Sequence, residues 1–178
     1  MSSPLPSPSL RSRHIALPAE ARVAPLYAGA FLADAFAIDL PPDAPRDTLA
    51  LARFALENQA PWVDRLMGVR DSAVKLFGLK TSGALRADTS PRVAFFRIYE
   101  THDDEVVLGE DDRHLDFRLS MLQRPVPGGG REVVATTVVH CHNRLGRNYI
   151  RLIAPFHRMV ARSALDRASK GGWGRPPQ

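Results

Sequence analysis

The chain has 178 residues, of which 44% are hydrophobic and 24% are charged, and its net charge is +5. This length fits one ordinary domain, and the composition is that of a globular chain rather than a disordered one. The single cysteine, Cys141, excludes an intramolecular disulfide and predicts a reducing compartment, the cytoplasm. No run of about 20 apolar residues is present, so the sequence predicts no transmembrane segment.

Both ends of the chain have the composition of unstructured polypeptide. The first residues are rich in Ser and Pro and lack the continuous apolar run of a secretory signal. The last residues are dominated by Gly and Pro. We therefore expect a disordered N-terminal arm over residues 1–22, a single α+β domain over residues 23–169, and a disordered tail over residues 170–178.

The first predicted elements are a strand and two helices. Residues 35–40 alternate in polarity and end at a pair of prolines, which is typical of a strand. Asp47 is suited to cap a helix over residues 48–58, because its carboxylate can accept hydrogen bonds from the free N–H groups of the first turn. A second helix is expected over residues 61–78, where apolar residues recur at helical spacing.

Four antiparallel strands are predicted next. They cover residues 93–100, 105–109, 114–124 and 131–142, which brings the predicted total to five strands. In the strand over 114–124, apolar and polar side chains alternate, so one face is expected to be buried. We expect the opposite face to be solvated. The polar residues on that face are His114, Asp116, Arg118 and Ser120.

The last predicted element is a helix over residues 145–168. Pro155 lies inside this helix and should kink it or split it in two, because proline removes one backbone hydrogen bond. A set of apolar residues at helical spacing forms the stripe expected to face the core. This stripe comprises Leu145, Tyr149, Leu152, Ile153, Phe156, Val160 and Ala164.

The order of these elements predicts an α+β fold. We expect an antiparallel, curved sheet packed on the long C-terminal helix, with two further helices inserted after the first strand. Such a helix-grip arrangement would bury the apolar face of the strand over 114–124 against the apolar stripe of the last helix. A plain two-layer α+β sandwich is the alternative.

Three segments of the chain resemble the bacterial family of unknown function called DUF2867. They are DEVVLGEDDRHLDFRLS (104–120), HNRLGRNYIRLIAPFHRMV (142–160) and the shorter YAGAFLADAFAIDLP (27–41). The resemblance extends from Leu26 to Ala168. It implies a stand-alone domain related to the Bet v 1/START-like helix-grip fold, and it brings no established activity or catalytic residue. A full helix-grip sheet has seven strands, whereas we predict five.

Two histidines at the end of the last strand are candidate metal ligands. His140 and His142 are one residue apart, so both side chains should leave the same face of the strand. Such a pair can supply two ligands to a zinc or iron ion. The alternative is that His140 is a partly buried histidine with its hydrogen bonds satisfied and that His142 flanks the strand end. Because no helper motif supplies a third ligand, we predict no metal site.

Cys141 is a candidate nucleophile. If Arg124 pairs with Arg131 in the last hairpin, Cys141 lies opposite His114, with Asp116 two residues further on. A cluster of this kind can activate a thiolate, but a slip of one residue in the register removes it. The alternative is a small apolar cysteine beside exposed polar side chains.

Several classes of function are disfavoured by the sequence. There is no glycine-rich nucleotide loop, nucleophile elbow or kinase motif, so we predict no cofactor. From His140 onward the chain has eight Arg or Lys residues and one acid. This positive charge belongs to one helix rather than to a broad surface with interleaved aromatic residues, so nucleic-acid binding is not predicted.

Three functions remain, and we rank a binding module first. In that hypothesis a cavity between the sheet and the last helix takes a small apolar or amphipathic ligand, with a lining of Phe117, Leu119, Val138, His140, Tyr149, Ile153 and Phe156. The second hypothesis is a protein-interaction domain with a filled core, whose acidic protein partner binds the helix face of Arg147, Arg151 and Arg158. The third is a cyclase- or isomerase-like enzyme with His140 as acid or base.

Overall fold

The structure is a computed structural model, and it describes residues 9–66, 68 and 91–174. The strands are β1 (Arg13–Ile15), β2 (Leu32–Leu40), β3 (Arg92–Val93), β4 (Phe96–Thr101), β5 (Glu105–Asp111), β6 (Leu115–Pro125) and β7 (Arg131–Cys141). The helices are α1 (Thr48–Glu57), α2, of which residues 61–66 and 68 are described, and α3 (Arg144–Lys170). Short 3-10 helices lie at Ala24–Leu26 and Gly172–Gly174.

The predicted architecture is confirmed. One antiparallel sheet, in the order β1-β2-β7-β6-β5-β4-β3, packs on the long C-terminal helix α3, and two helices follow β2. The sheet has seven strands rather than the five predicted, because β1 and β3 are too short to produce a periodic signal. The rest of the helix predicted over residues 61–78 lies outside the described residues.

The first helix begins where its capping residue predicts. The Asp47 carboxylate accepts hydrogen bonds from the N–H groups of Leu49 at 2.9 Å and Ala50 at 3.3 Å. These bonds satisfy two of the donors that the first turn of a helix leaves free. The helix then packs its Leu51 side against the core shared by the sheet and α3.

The second face of the sheet is covered, contrary to our expectation of a solvated face. The segment over residues 17–31 packs Ala21 and Val23 against apolar side chains of β2 and β7. Beneath it, Glu105 is 1% exposed. Its carboxylate accepts a hydrogen bond from the Ser120 hydroxyl at 2.6 Å and one from the Arg22 N–H at 3.0 Å. Alternation shows which side chains share a face, but not whether a distant segment covers that face.

Helix α3 is continuous from Arg144 to Lys170, so Pro155 does not split it in two. Proline leaves the carbonyl of Arg151 without its usual donor. Both residues are exposed, so water can serve that carbonyl instead.

The apolar stripe that the sequence predicts is confirmed only in part: Ala164 is buried, and Tyr149 and Ile153 pack against a core cluster. The buried residues of α3 are Gly146, Ile150, Ala164, Leu165, Ala168 and Ser169. Leu152 and Phe156, which we placed in the core, are exposed. Small side chains face the sheet because they allow the helix backbone to approach it closely.

Parts of both predicted unstructured ends belong to the described fold. Residues 13–15, which lie in the expected N-terminal arm, form β1, and β1 pairs with β2. In the expected tail, Trp173 is 1% exposed and joins the core cluster of α1, the sheet and α3.

Ending the chain after Lys170 should therefore destabilise the fold. We expect a loss of about 3–5 kcal/mol in the free energy of unfolding, the usual cost of removing a buried Trp side chain. Urea denaturation would measure this loss. A chain ended after Gly174 is the matched control and should unfold like the full chain. Equal stability of the two shortened chains would show that Trp173 does not pack in the core.

Candidate functional site

A groove lies beside the last residues of β7, beyond the point where β2 begins. The first residue of β2, Leu32, pairs with Val139, and the N–H of Phe31 donates to the Val139 carbonyl at 2.8 Å. Among the described residues, His140 and Cys141 of β7 therefore have a strand neighbour on the β6 side alone. Peptide groups two residues apart in a strand point the same way, so the N–H and C=O of Cys141 point towards this gap.

The groove is open to solvent and has a volume of about 590 Å³. Its walls come from the loop before β2, the start of β6, the end of β7 and the first turns of α3. The lining residues are Leu26, Gly29, Ala30, Phe31, Asp116, Phe117, Arg118, Val138, His140, Cys141, His142, Arg147 and Arg151. Apolar side chains, arginines and one carboxylate, that of Asp116, therefore share one concave surface.

The first turn of α3 is held tightly against the start of β6. The Asn143 side chain caps the helix by accepting from the Gly146 N–H at 3.0 Å. Gly146 lies so close to the carbonyl of His114 that a Cβ would collide with it. This close contact fixes the helix direction and brings Arg147 and Arg151, one helical turn apart, to the groove.

These two arginines form no ion pair with any described residue. Arg151 approaches the side-chain oxygen of Asn148 at 3.4 Å, and its guanidinium lies 5.5 Å from the centre of the Phe31 ring. The first turn of α3 contains no acidic residue. Cations at this end of a helix oppose the helix dipole, so this part of the groove has an uncompensated positive charge.

Arg118 differs from them because its charge is already compensated. It forms an ion pair with Asp111 at 2.7 Å and lies over the ring of Tyr99 at 3.8 Å from the ring centre. Burial, together with the hydrogen bond to Asp111, raises the pKa of Tyr99 to about 12. Tyr99 is therefore neutral over the physiological range and supports Arg118 as an uncharged platform.

The two candidate metal-binding histidines have separate partners. His140 Nε2 lies 2.8 Å from the Leu26 carbonyl, which requires this nitrogen to carry a proton. His142 Nε2 lies 2.9 Å from the Asp116 carboxylate. In the part of the chain that the structure describes, no group of three or more His, Cys, Asp and Glu side chains is placed to hold a metal ion.

The Cys/His/Asp cluster considered for Cys141 does not form. Arg124 pairs with Glu132 rather than Arg131, so the register differs by one residue and Cys141 lies opposite Leu115. Burial raises the pKa of the Cys141 thiol, and the charge of Arg147 opposes this shift only in part. The thiol is therefore less ionised than an ordinary cysteine, the reverse of an activated nucleophile.

The predicted ligand-binding residues are divided between the two faces of the sheet. Phe117, Tyr149 and Ile153 pack together on the α3 face, and Leu119 lies on the same face beside the main core. Val138 and His140 point to the opposite face, because they alternate with Val139. Phe156 is 45% exposed. The groove brings together Phe117, Val138 and His140 from this set.

Some of the groove could not be found from the sequence. The loop residues Leu26 and Phe31 carry no pattern that relates them to the end of β7. The only local signal is Gly29, whose φ of 76° marks a turn before β2. Arg147 and Arg151 were predicted as a partner-binding face together with Arg158, but Arg158 extends towards Asp34, a carboxylate that is 2% exposed.

Residues 26–164 match the family DUF2867, which is described as a protein of unknown function. The chain belongs to the DUF2867 family. No match was found among curated proteins or among solved structures. Every residue that lines the groove lies within the DUF2867 match, whereas Trp173 lies beyond it. Within the described ranges, no helix has both the length and the apolar character needed to cross a membrane.

The raised pKa of Cys141 predicts slow alkylation at neutral pH. Because Cys141 is the only cysteine, iodoacetamide labelling followed by mass spectrometry reports this thiol alone. The rate should rise with pH and reach half its maximum above the midpoint of a free cysteine peptide measured alongside. Arg147→Gln should move the midpoint higher still, since the Arg147 charge favours the thiolate. Arg22→Gln serves as the control and should leave it unchanged.

A midpoint below that of the free peptide would contradict this assignment. It would mean that the protein stabilises the thiolate, and it would support the hypothesis that Cys141 is a nucleophile.

Proposed function

We propose that this DUF2867 protein binds a small amphipathic molecule with an anionic end in the groove beside the end of β7. The observation that carries this proposal is a groove of about 590 Å³ that combines apolar walls with two arginines lacking an acidic partner among the described residues. Ligand sites are commonly mostly apolar, with a few polar groups that fix the orientation of the ligand.

The anionic end of the ligand would lie at the start of α3. Arg147 and Arg151 are on successive turns and reach the groove from the same side. A carboxylate or phosphate between them would accept charge-assisted hydrogen bonds and would also compensate the positive end of the helix dipole. An anion therefore removes the uncompensated charge that this end of the helix otherwise carries.

The apolar part of the ligand would lie against the loop and the sheet. Phe31 and Phe117 supply aromatic surface, and Val138 continues this surface on β7. The peptide groups of Cys141, which point towards the gap beside β2, and Nδ1 of His140 would offer hydrogen bonds along the same wall. A molecule with a charged end and an apolar body would contact both parts of the groove.

This site differs in position from the cavity that we expected between the sheet and the last helix. It lies at the end of β7, where the shorter β2 leaves room, and it uses residues from both faces of the sheet. Of the two ligand classes considered from the sequence, apolar and amphipathic, we propose the amphipathic class. A START-like relationship remains part of the proposal and rests on the sequence resemblance together with the sheet-and-helix architecture.

Native mass spectrometry of freshly purified full-length protein tests the proposal. We expect a stoichiometric extra mass of a few hundred daltons that is released on denaturation and behaves as an acid in negative-ion mode. The double substitution Arg147→Gln with Arg151→Gln should reduce the occupied fraction at least about tenfold, because two charge-assisted contacts are lost. The matched control, Arg11→Gln with Arg22→Gln, removes the same charge outside the groove and should retain the ligand.

A thermal-shift screen with short- and medium-chain fatty acids, aryl carboxylates and alkyl phosphates covers the case in which the ligand is lost during purification. The proposal predicts that at least one of these probes raises the melting temperature of the wild-type protein but not that of the double-glutamine variant. A clean apo mass combined with no stabilisation by any probe would refute it.

A further inference from the structure

Helix α3 presents a row of large apolar side chains to solvent. Leu152 is 69% exposed, Phe156 45% and Met159 49%. Their spacing of four and then three residues places them in one line along the helix. Single exposed apolar residues are ordinary, whereas a contiguous apolar row on a surface marks an interaction site. We call these three residues the outer stripe.

Basic residues accompany the outer stripe. Helix α3 carries seven Arg or Lys residues and one acid, Asp166. At 100° per residue, Arg151, Arg158 and Arg162 fall along one flank of the stripe. A shallow groove of about 530 Å³ runs along the same helix, and its lining includes Arg162 and Lys170. The exposed side of α3 is therefore both apolar and strongly cationic.

We propose that the outer stripe docks on the surface of an anionic lipid bilayer. An apolar row bordered by arginines is the pattern of helices that lie in the membrane interface, where the apolar side chains enter the acyl region and the cations contact lipid headgroups. The opposite side of α3 is packed against the sheet through Ile150, Leu165 and Ala168. The helix can therefore lie only flat on the bilayer surface.

Charge and area favour a bilayer over a second copy of the chain. Pairing two outer stripes would bring two strongly basic helices together without compensating acids. Three side chains also provide much less area than the roughly 1,200 Å² that a stable protein interface buries. An anionic bilayer requires no such area and attracts every exposed cation within a Debye length of its surface.

Vesicle flotation of the full chain tests this inference. The probes are vesicles of phosphatidylcholine alone and vesicles of phosphatidylcholine mixed with phosphatidylglycerol. Binding to the anionic vesicles should be at least about tenfold stronger and should weaken as salt is added, since each exposed cation near the surface contributes to it. Absence of binding, or equal binding to both vesicle types, would overturn the inference.

Two variants separate the apolar and the electrostatic contributions. The triple substitution Leu152→Ser, Phe156→Ser and Met159→Ser should reduce binding at least about tenfold without lowering the melting temperature, because these side chains are exposed. The double substitution Arg162→Glu with Lys170→Glu should reduce binding by a similar factor. Both variants leave Arg147 and Arg151 of the groove beside β7 unchanged, so the ligand proposal can fail or succeed independently.

The matched control is Arg11→Glu with Arg22→Glu, which makes the same change in net charge outside α3. It should retain most of the binding. An equal loss in this control would overturn the inference, since net charge rather than the α3 surface would then determine binding. Sedimentation that shows a dimer dissolved by the triple serine substitution would also overturn it, because the outer stripe would then be covered by a second copy.

Discussion

Strand β7 is the element on which the positions of most other residues depend. It pairs along its length with β6 and, from Arg131 to Val139, with β2. Its side chains alternate between the face under α3 and the face under residues 17–31, and both faces are buried. A shift of one residue in the register would exchange the two faces. Glu132, which forms ion pairs with Arg13 and Arg124, would then point into the apolar core. The register is therefore fixed by burial on two sides at once.

The groove follows from differences in strand length. His140 and Cys141 extend beyond the start of β2, and in the described part of the chain no other strand takes the place next to them. The connection to α3 is only two residues long, so the helix must begin beside the same gap. Arg147 and Arg151 reach the groove for that reason, and Arg151 also lies 5.5 Å from the centre of the Phe31 ring. The contact of Gly146 with the His114 carbonyl then holds the helix at this position.

Local signals in the sequence predicted the elements that local interactions determine. The Asp47 cap placed the start of α1, and alternation placed the faces of β6, because each depends on residues close together in the chain. Features that depend on distant segments could not be predicted in this way. The cover over the Glu105 face and the burial of Trp173 require knowledge of which segments meet. The register of β6 with β7 depends instead on the conformation of the loop over residues 126–130, which the sequence pattern did not determine. The groove belongs to this second class, and sequence reasoning therefore identified several of its residues but not their arrangement.

Packing against the sheet does not account for all of the apolar residues in helix α3. The side of the helix that meets the sheet includes three small residues, Gly146, Ala164 and Ala168. Small residues are required there because they allow a close contact between the helix and the sheet. The large apolar residues of the outer stripe make no comparable contribution to the described core. Exposed apolar side chains gain little free energy from folding, so stability does not explain why Leu152, Phe156 and Met159 occur there in a row. The bilayer contact proposed above would account for the row, and the arginines beside it would favour a negatively charged surface.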